Sequence, residues 1–291
     1  MVPVFRGDVV KILVTGANGQ LGKDVIRILE AEHEVFGFSR KEMDIRDLDC
    51  CLEVMDRFRP DAVIHCAAYT AVDQAESEPD EAFRVNAFGS RNIALAAERV
   101  GSKICYISTD YVFDGMSDVP YNEYDNTNPA SVYGKSKRAG EQLVQSLSSK
   151  YFIVRTSWVY GRNGNNFVKT MLRLAKERDK LKVVHDQVGS PTYTVDLSRF
   201  LSDLIVTDKY GIYHASNTGR CSWYEFACAI FEESGISVQV DPCTTEEFPR
   251  PAPRPKFSVL DHMSIRANGF SDLRHWREAL KEFLQELKQE E

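Results

Sequence analysis

A tyrosine and a lysine four residues apart, Tyr133 and Lys137, are the side chains in this sequence best suited to moving a proton. They fall at the start of a predicted helix, where this spacing puts both on one face, about one turn apart. A tyrosine holds its proton near pKa 10, and a neighbouring positive charge stabilises the phenolate and lowers that pKa. The pair therefore predicts general acid chemistry, with an ordinary surface pair as the alternative.

A hydroxyl group is predicted beside this pair. Ser108-Thr109-Asp110 ends the apolar run that starts at Lys103, which we predict to be a strand. In an open parallel sheet, ligands bind at the carboxyl ends of the strands. The order of strand, hydroxyl, tyrosine and lysine therefore indicates one site rather than scattered residues.

Three glycines, Gly16, Gly19 and Gly22, directly follow the apolar run Lys11-Ile12-Leu13-Val14-Thr15. A strand, a tight turn and a helix starting near Leu21 would let a pyrophosphate approach the backbone and the free N–H groups of the helix. Side chains at the first two glycines would obstruct that approach, and one at the third would push the helix from the strand. The spacing is G-x-x-G-x-x-G rather than the commoner G-x-G-x-x-G, but it still predicts dinucleotide binding.

The end of the second predicted strand, Phe38-Ser39-Arg40, bears on the choice of cofactor. NAD sites usually carry an acid here for the ribose hydroxyls, and this chain has none. Arg40 could face a 2′-phosphate or stack on adenine, which favours NADPH over NADH, while a solvated arginine is the alternative. Two further loops are predicted beside the cofactor, Asp44-Ile45 near adenine and the small residues of Cys66-Ala67-Ala68-Tyr69.

The elements that must position these residues alternate between strand and helix. The predicted segments are Ile12–Thr15, Leu21–Glu32, Glu34–Phe38, Leu48–Arg59, Ala62–Cys66, Pro79–Val100, Lys103–Ser108, Tyr133–Ser148 and Tyr151–Thr156. This order predicts an α/β fold with a Rossmann-type, doubly wound parallel sheet. We expect residues 1–160 to form the dinucleotide-binding domain. Residues 161–291 should form mostly a smaller substrate-binding lobe, with about 185–215 returning to the sheet.

The rest of the sequence predicts helices of the lobe and limits the class of protein. A helix is predicted at Phe167–Glu177, and an amphipathic last helix, containing Trp276 and Leu287, should close the core. The net charge of −7 disfavours nucleic-acid partners, and no apolar run is long enough for a bilayer. The first ten residues lack a signal-like stretch and are predicted to precede the first strand. Seven cysteines without a C-x-x-C pair indicate reduced, cytoplasmic usage, and the scattered histidines predict no metal cluster.

Seven segments of the chain together resemble a known family. They are GANGQLG (16–22), HCAAYTAVDQAE (65–76), VNAFG (85–89), STDYVFDG (108–115), NPASVYGKSKRAGE (128–141), RTSWVYG (155–161) and DQVGSPT (186–192). In this order they resemble the extended short-chain dehydrogenase/reductases and, more narrowly, the dTDP-4-dehydrorhamnose reductases. The resemblance implies reduction of dTDP-4-dehydro-6-deoxy-L-mannose to dTDP-L-rhamnose, the last step of dTDP-rhamnose biosynthesis, by NADPH or NADH.

The resemblance also implies roles for individual residues. Tyr133 would protonate the developing alkoxide, Lys137 would bond the nicotinamide ribose and tune Tyr133, and Thr109 would hold the carbonyl oxygen. The implied cofactor-binding residues are Gly16, Asn18, Gly19, Gln20, Leu21, Gly22, Arg40, Asp44, Ile45, Ala67, Ala68, Tyr69, Asn86, Tyr133 and Lys137. The implied substrate-binding residues are Val72, Asp73, Thr109, Asp110, Tyr111, Trp158 and Arg254, with Arg250 competing with Arg254 for a diphosphate and core packing as the alternative for Trp158.

Some expectations stay open at this point. Some family members use magnesium at a dimer contact, but no residue here supports such a site, and a homodimer is an expectation only. One rival function is a non-catalytic NADP-binding subunit, since the family also resembles the regulatory subunit of methionine adenosyltransferase. Another is an epimerase, dehydratase or reductase acting on a different sugar nucleotide.

Overall fold

The computed structural model describes residues 9–289, so most of the predicted N-terminal extension lies outside the described part. The strands are β1 (Lys11–Thr15), β2 (Glu34–Phe38), β3 (Ala62–His65), β4 (Lys103–Thr109), β5 (Tyr151–Thr156), β6 (Val159–Tyr160), β7 (Lys180–Val184), β8 (Val188–Gly189), β9 (Thr192–Tyr193), β10 (Gly211–His214), β11 (Cys221–Ser222) and β12 (Gln239–Cys243).

The helices are α1 (Gln20–Leu29), α2 (Leu48–Phe58), α3 (Val72–Ala75), α4 (Pro79–Phe83), α5 (Ser90–Val100), α6 (Val132–Leu147), α7 (Phe167–Glu177), α8 (Thr194–Ile205), α9 (Trp223–Ser234), α10 (Met263–Ala267) and α11 (Trp276–Lys288). A π-helical turn, Arg84–Gly89, joins α4 to α5, and a 3₁₀ turn, Asp110–Val112, follows β4. None of the helices within residues 9–289 has the length and apolar character needed to cross a membrane.

Six strands form one parallel sheet in the order β2-β1-β3-β4-β5-β10. The predicted doubly wound α/β fold is therefore confirmed. Strand β1 lies between β2 and β3. The chain adds β2 on one side of β1 and then β3, β4, β5 and β10 on the other side, so the direction of the strand order changes between β1 and β3. Such a switch point opens a crevice at the carboxyl ends of the two strands.

Each face of the sheet is covered by helices, as the nearly continuous apolar strands require. In β1, Ile12 and Val14 pack on the side of α1 and α8, whereas Leu13 packs on the side of α2, α5 and α6. This alternation follows from the two-residue period of a strand. Two helices on the second side begin with a polar cap, Asp47 for α2 and Ser131 for α6.

A second apolar cluster forms the core of the lobe. It contains residues of α7, α9 and α11, including Met171, Phe226 and Phe283. The last helix was expected to close the core, and it buries Trp276, Leu280 and Phe283 in this second cluster rather than against the central sheet. After the start of the lobe, β10 returns to the sheet beside β5, and α8 packs against α1.

One predicted helix has a different internal structure. The segment predicted as a continuous helix over Pro79–Val100 contains the π-helical turn between α4 and α5. A π turn inserts one residue into the hydrogen-bond pattern and often occurs at functional sites. Here it carries Asn86, whose side chain is fully buried.

Candidate active site

A cleft of about 1200 Å³ runs along the carboxyl ends of the central strands and reaches the lobe. It brings together residues that follow β1, β2 and β3, residues at the ends of β4 and β5, and residues of α6, which is the location expected for a ligand in an open parallel sheet. Most of the residues singled out from the sequence line it, namely Gly16, Asn18, Gly19, Gln20, Leu21, Gly22, Arg40, Asp44, Ile45, Ala67, Ala68, Tyr69, Val72, Thr109, Asp110, Tyr111, Tyr133, Lys137 and Trp158.

The glycine turn after β1 is required partly for a reason that the sequence did not reveal. Gly16 has φ +67°, and a Cβ there would lie 2.7 Å from the backbone nitrogen of Ala67. The first glycine is therefore needed where the loops after β1 and β3 meet, besides any approach of a phosphate. A Cβ at Gly22 would collide with the carbonyl oxygen of Gly16, so the third glycine lets α1 pack closely on the turn.

The N-terminus of α1 faces the cleft without a side-chain cap. Its N-cap is Gly19, and no acidic residue occurs in its first turn. Uncapped N–H groups at a helix N-terminus attract an anion through both hydrogen bonding and the helix dipole. The side chain of Gln20 does not cap this turn either, since its amide donates to the carbonyl of Val159 at 3.1 Å and accepts from Asn166 at 3.0 Å. The turn thus fits a pyrophosphate.

The far end of the cleft, beyond β2, carries both signs of charge. Arg40 is 70% exposed, and its Nε lies 3.9 Å from the Asp44 carboxylate. Arg46 holds that carboxylate by a fork, with Nε 2.9 Å from Oδ1 and Nη2 2.6 Å from Oδ2, and its hydrogen bonds lower the pKa of Asp44. Arg46 also reaches Glu81 at 2.8 Å. Arg46 is thus the short-range partner of the Asp44 carboxylate, and the exposed guanidinium of Arg40 can reach a ligand in the cleft.

Asn86 was predicted to contact the cofactor, but it does not line the cleft. Its Oδ1 accepts the backbone N–H of Tyr69 at 2.8 Å, and its Nδ2 donates to the Tyr69 carbonyl and to Ser136 Oγ. The polar atoms of its side chain thus face protein groups. The structure assigns Asn86 to holding the loop after β3 against α6.

The loop after β3 is also fixed through His65. Thr15 Oγ1 accepts from the Ala67 N–H at 3.2 Å and lies 2.6 Å from His65 Nδ1, and His65 Nε2 lies 3.1 Å from Ser90 Oγ. Burial lowers the pKa of His65 to about 3, with Lys137 adding to the shift, so the ring is neutral. A neutral ring donates through one nitrogen and accepts through the other, which suits this chain of hydroxyl groups.

The residues predicted to take part in proton transfer, Thr109, Tyr133 and Lys137, line the same cleft. Lys137 donates from Nζ to the carbonyl of Ile107 at 2.7 Å, and the rings of Tyr133 and Tyr111 pack edge to face with centroids 5.5 Å apart. Burial lowers the pKa of Lys137 to about 7, opposed mainly by the charge of Glu141. A Cβ at Gly134 would collide with the Tyr111 carbonyl, so this glycine lets α6 approach the turn after β4.

The pKa of Tyr133 shifts in the direction opposite to the one expected from the sequence. Burial raises it to about 12, the Thr109 hydroxyl opposes this rise, and the charge of Asp110 adds to it. Loss of hydration penalises the phenolate more than neighbouring groups stabilise it. Tyr133 therefore keeps its proton across the neutral range, as a proton donor must.

A buried ion pair, Arg155 with Glu141, lies next to the elements that carry Thr109, Tyr133 and Lys137. Arg155 donates from Nε to Glu141 Oε1 and from Nη2 to Oε2, both at 2.9 Å, and Ser108 Oγ donates to Oε1 at 2.6 Å. Arg155 is 2% exposed, and Glu141 lies on α6 one turn after Lys137. The pair therefore ties β4, β5 and α6 together beneath the cleft.

Two predicted substrate residues lie outside the cleft lining. Arg254 Nη2 is 2.9 Å from Asp73 Oδ1, and the backbone N–H of Ala252 donates to the same oxygen at 3.3 Å. The two side chains thus pair with each other across the edge between α3 and the lobe instead of opening to the cleft. The competing Arg250 packs over the Phe248 ring at 4.7 Å.

Trp158 lines the cleft in an unusual conformation. Its φ is +47°, which is strained for a bulky side chain. Its ring stacks on Trp223 with centroids 3.5 Å apart and planes 7° apart. A Cβ at Gly189 would lie 2.6 Å from the Trp158 ring, so only glycine leaves room for it. Trp158 thus lines the cleft and also packs against the apolar cluster of the lobe, so both of its predicted roles stay open.

The sequence matches a known protein family over almost its whole length. The family model described as the RmlD substrate binding domain matches residues 10–289. The chain belongs to this family. Within the described residues 9–289, no group of three or more His, Cys, Asp or Glu side chains is arranged to hold a metal ion.

Individual members of this family are similar over almost their whole length. The spore coat polysaccharide biosynthesis protein SpsK of Bacillus subtilis (strain 168) is 49% identical, covering 95% of this chain and 97% of that protein. A dTDP-4-dehydrorhamnose reductase of Aggregatibacter actinomycetemcomitans is 45% identical, covering 93% and 97%. A crystal structure of dTDP-4-dehydrorhamnose reductase from Bacillus anthracis str. Ames in complex with NADP has a TM-score of 0.94 at 51% identity, covering 96% and 99%.

Sequence reasoning missed several residues that line the cleft of this RmlD-family chain. They include Ser39, Arg46, Asn165 and Trp223. Ser39 adjoins Arg40, so its position could have been included from the sequence. Trp223 lies far from Trp158 along the chain, and no local pattern signals their stacking.

Proposed function

We propose that this protein is a dTDP-4-dehydrorhamnose reductase, which reduces the keto group of dTDP-4-dehydro-6-deoxy-L-mannose to give dTDP-L-rhamnose. One observation carries the proposal: a single cleft holds both an uncapped, glycine-rich helix terminus and the Thr109, Tyr133 and Lys137 side chains. Membership in the RmlD family supports it, because its members include reductases of this name.

The cofactor is NADPH, and the cleft fits it at two places. The free N–H groups at the start of α1 suit the pyrophosphate, and the exposed guanidinium of Arg40 suits a 2′-phosphate. When bound, NADPH supplies the hydride for the reduction. The close relative from Bacillus anthracis, whose structure contains NADP, supports this choice.

The side chains at the centre supply the proton and stabilise charge. A ketone oxygen gains negative charge as it is reduced, and hydroxyl donors placed beforehand oppose that charge as it appears. We assign the donated proton to Tyr133, whose raised pKa keeps it protonated at neutral pH. Thr109 holds the same oxygen, and Lys137, fixed on the Ile107 carbonyl, presents its ammonium to the ribose and to Tyr133.

The sugar nucleotide is assigned to the side of the cleft formed by Val72, Tyr111 and Trp158. Aromatic faces suit the C–H faces of a sugar ring or a base, and burial of such rings contributes much of the binding free energy. For Arg254 to bind the diphosphate it must exchange Asp73 for phosphate oxygens. A guanidinium fork binds either anion well, so this exchange replaces one anionic partner by another.

The proposal is tested by mixing the purified protein with NADPH and the keto-sugar nucleotide and following NADPH oxidation by absorbance. We expect oxidation and formation of dTDP-L-rhamnose, identified by mass and by comparison with the authentic sugar nucleotide. No oxidation while NADPH is shown to bind would reject the proposal. Stoichiometric, tightly held NAD in freshly purified protein would instead favour an epimerase or dehydratase, and co-purification with a synthetase would favour a regulatory subunit.

Replacing Arg40 tests the preference for NADPH. We expect Arg40→Ala to raise the KM for NADPH about five- to tenfold and to change the KM for NADH less than about twofold, since only NADPH carries the extra phosphate. Steady-state kinetics with both cofactors measure this. Arg57→Ala, an exposed arginine on α2 outside the cleft lining, is the matched control. Equal effects on both cofactors would contradict the assignment.

Removing the ring of Trp223 tests the aromatic pair. We expect Trp223→Leu to raise the KM for the sugar nucleotide about three- to tenfold, because Trp158 loses its stacking partner. The KM for NADPH should change less than about twofold. Phe88→Leu, which removes an exposed aromatic ring outside the cleft lining, serves as the control. A change confined to NADPH would show that the pair serves the cofactor instead.

Four expectations from the sequence, on location, oligomeric state, nucleic-acid partners and membrane partners, stay predictions. A cytoplasmic location agrees with seven cysteines that are all unpaired, as is usual in a reducing compartment. A homodimer, and the absence of nucleic-acid and membrane partners, are likewise expected from the sequence alone. Gel filtration with light scattering measures the oligomeric state.

A further inference from the structure

The hydroxyl group of Thr109 has one proton, and in the structure this proton is donated to the carboxyl group of Asp110. Thr109 Oγ1 donates to Asp110 Oδ1 at 3.0 Å and accepts the backbone N–H of Tyr111 at 3.2 Å. A threonine hydroxyl offers one donor and two acceptor sites. With these two bonds made, Thr109 has only an acceptor position left, and the neighbouring hydroxyl of Tyr133 is a group that can donate to it.

This arrangement conflicts with the role that Thr109 has in the proposed reaction. A ketone oxygen is an acceptor and needs donors, most of all when it becomes an alkoxide. As long as Asp110 takes the proton of Thr109, that oxygen has Tyr133 as its donor but not Thr109. Something must release the Thr109 proton before both hydroxyls can act together.

Asp110 itself is unusual, because it is a carboxyl group buried at the cleft. It lines the cleft but is only 2% exposed, and its Oδ2 makes no hydrogen bond of good geometry within the described residues. Burial raises its pKa to about 6, while the hydroxyls of Ser258 and Thr109 oppose the rise. Both of its protonation states are therefore populated near neutral pH, with the acid form dominant below about 6.

We propose that Asp110 is a positioning residue that sets the direction of the Thr109 hydrogen bond, an inference that rests on the proposed reductase function. As a carboxylic acid, Asp110 donates a hydrogen bond to Thr109 Oγ1, and Thr109 then donates a hydrogen bond to the ketone oxygen of the substrate, while the proton that this oxygen takes up comes from Tyr133. As a carboxylate, Asp110 accepts the Thr109 proton and leaves Tyr133 as the donor. Asp110 and Thr109 both keep their protons during turnover in this arrangement, and Asp110 exchanges its proton with solvent only as the pH changes.

The titration of Asp110 must be distinguished from that of other titratable groups at this end of the cleft. On α6 they are Tyr133 and Lys137, which line the same cleft. On its own turn the group is Tyr111, whose pKa is raised by burial and by the charge of Asp110. The titration of Lys137 near pH 7 lies close to that of Asp110, so a pH profile of the native protein alone does not identify the group.

The test compares pH profiles of kcat for the native protein and Asp110→Asn. In the native protein we expect kcat for ketone reduction to fall at least about tenfold between about pH 6 and about pH 8, as the carboxylate forms. The amide introduced by Asp110→Asn does not titrate, so this fall should shrink to less than about threefold; with its nitrogen turned toward Thr109 it donates at every pH, and turnover at pH 8 should then be at or above the native value. Asp114→Asn, whose carboxylate lies outside the cleft lining, should keep the native profile.

A second measurement does not depend on turnover or on the stability of Asp110→Asn. Carbon-13 NMR of aspartate carboxyl groups in the cofactor-free protein should show one group titrating near pH 6. Thr109→Val removes the donor to the carboxylate, so this midpoint should rise. Thr109→Ser keeps the hydroxyl and should restore the native midpoint.

The outcomes separate this inference from the proposed function. If the native protein reduces the keto sugar but Asp110→Asn keeps the full decline with pH, or if Thr109→Val leaves or lowers the carboxyl midpoint, the inference is wrong and the reductase stands. If no keto-sugar nucleotide is reduced at any pH, the proposed function fails. In that case the NMR titration still decides whether Thr109 donates to Asp110.

Discussion

Replacing Tyr133 by phenylalanine should lower kcat by roughly 10²–10⁴ and leave the affinity for NADPH nearly unchanged. The substitution removes one hydroxyl and keeps the ring that packs on Tyr111. Because burial holds the pKa of Tyr133 near 12, the native hydroxyl is protonated at every pH at which the protein would be assayed. Stopped-flow measurement of NADPH oxidation gives the rate, and titration calorimetry gives the affinity.

The matched control is Tyr124→Phe, which removes a hydroxyl from a tyrosine that is 80% exposed. It should retain native kcat within about twofold. If Tyr133→Phe loses NADPH affinity as strongly as turnover, the hydroxyl acts in binding and not as the proton donor. Native turnover in Tyr133→Phe would remove it from the mechanism altogether.

The second large effect is expected on stability. Glu141→Gln should lower the free energy of unfolding by about 3–5 kcal/mol, because it leaves the guanidinium of Arg155 buried without its counter-charge. Arg155 is 2% exposed and Glu141 is fully buried, so water cannot replace the lost partner. Urea unfolding followed by circular dichroism measures the change at neutral pH.

An exposed pair supplies the comparison. Arg99 and Asp56 lie 3.0 Å apart with 58% and 38% of their side chains exposed, so Asp56→Asn should cost only about 0–1 kcal/mol. The double variant Glu141→Gln with Arg155→Met should recover part of the loss, since it also removes the unpaired charge. Equal losses for Asp56→Asn and Glu141→Gln would show that burial of the charge is not the cause.

The parts of the fold that depend on local sequence were predictable. The alternation of apolar strands and amphipathic helices predicted the parallel sheet, and the spacing of Tyr133 and Lys137 is a property of one helix. Thr109 was found because it ends a strand, and strand ends share one edge of the sheet. These inferences need only short-range periodicity and one rule of topology.

What was missed depends on contacts between distant segments. The stacking of Trp158 on Trp223 joins the loop after β5 to the start of α9, two segments that only the folded lobe brings together. Asn86 follows a helical pattern, and only the π-helical turn shows that its amide faces the loop of Tyr69. The direction of the Tyr133 pKa shift depends on how much water surrounds the ring, which the sequence does not encode.

Because the chain returns to the central sheet after the lobe begins, the N-terminal part of this protein should not be stable as a separate fragment. Strand β10 covers the edge of β5, and α8 lies against α1, although both follow the beginning of the lobe. A fragment ending at residue 160 would expose the hydrogen-bonding edge of β5 and the apolar side of α1, and such edges promote aggregation. The two halves therefore depend on each other for solubility, and deletion from the C-terminal side should yield insoluble protein rather than an isolated nucleotide-binding unit.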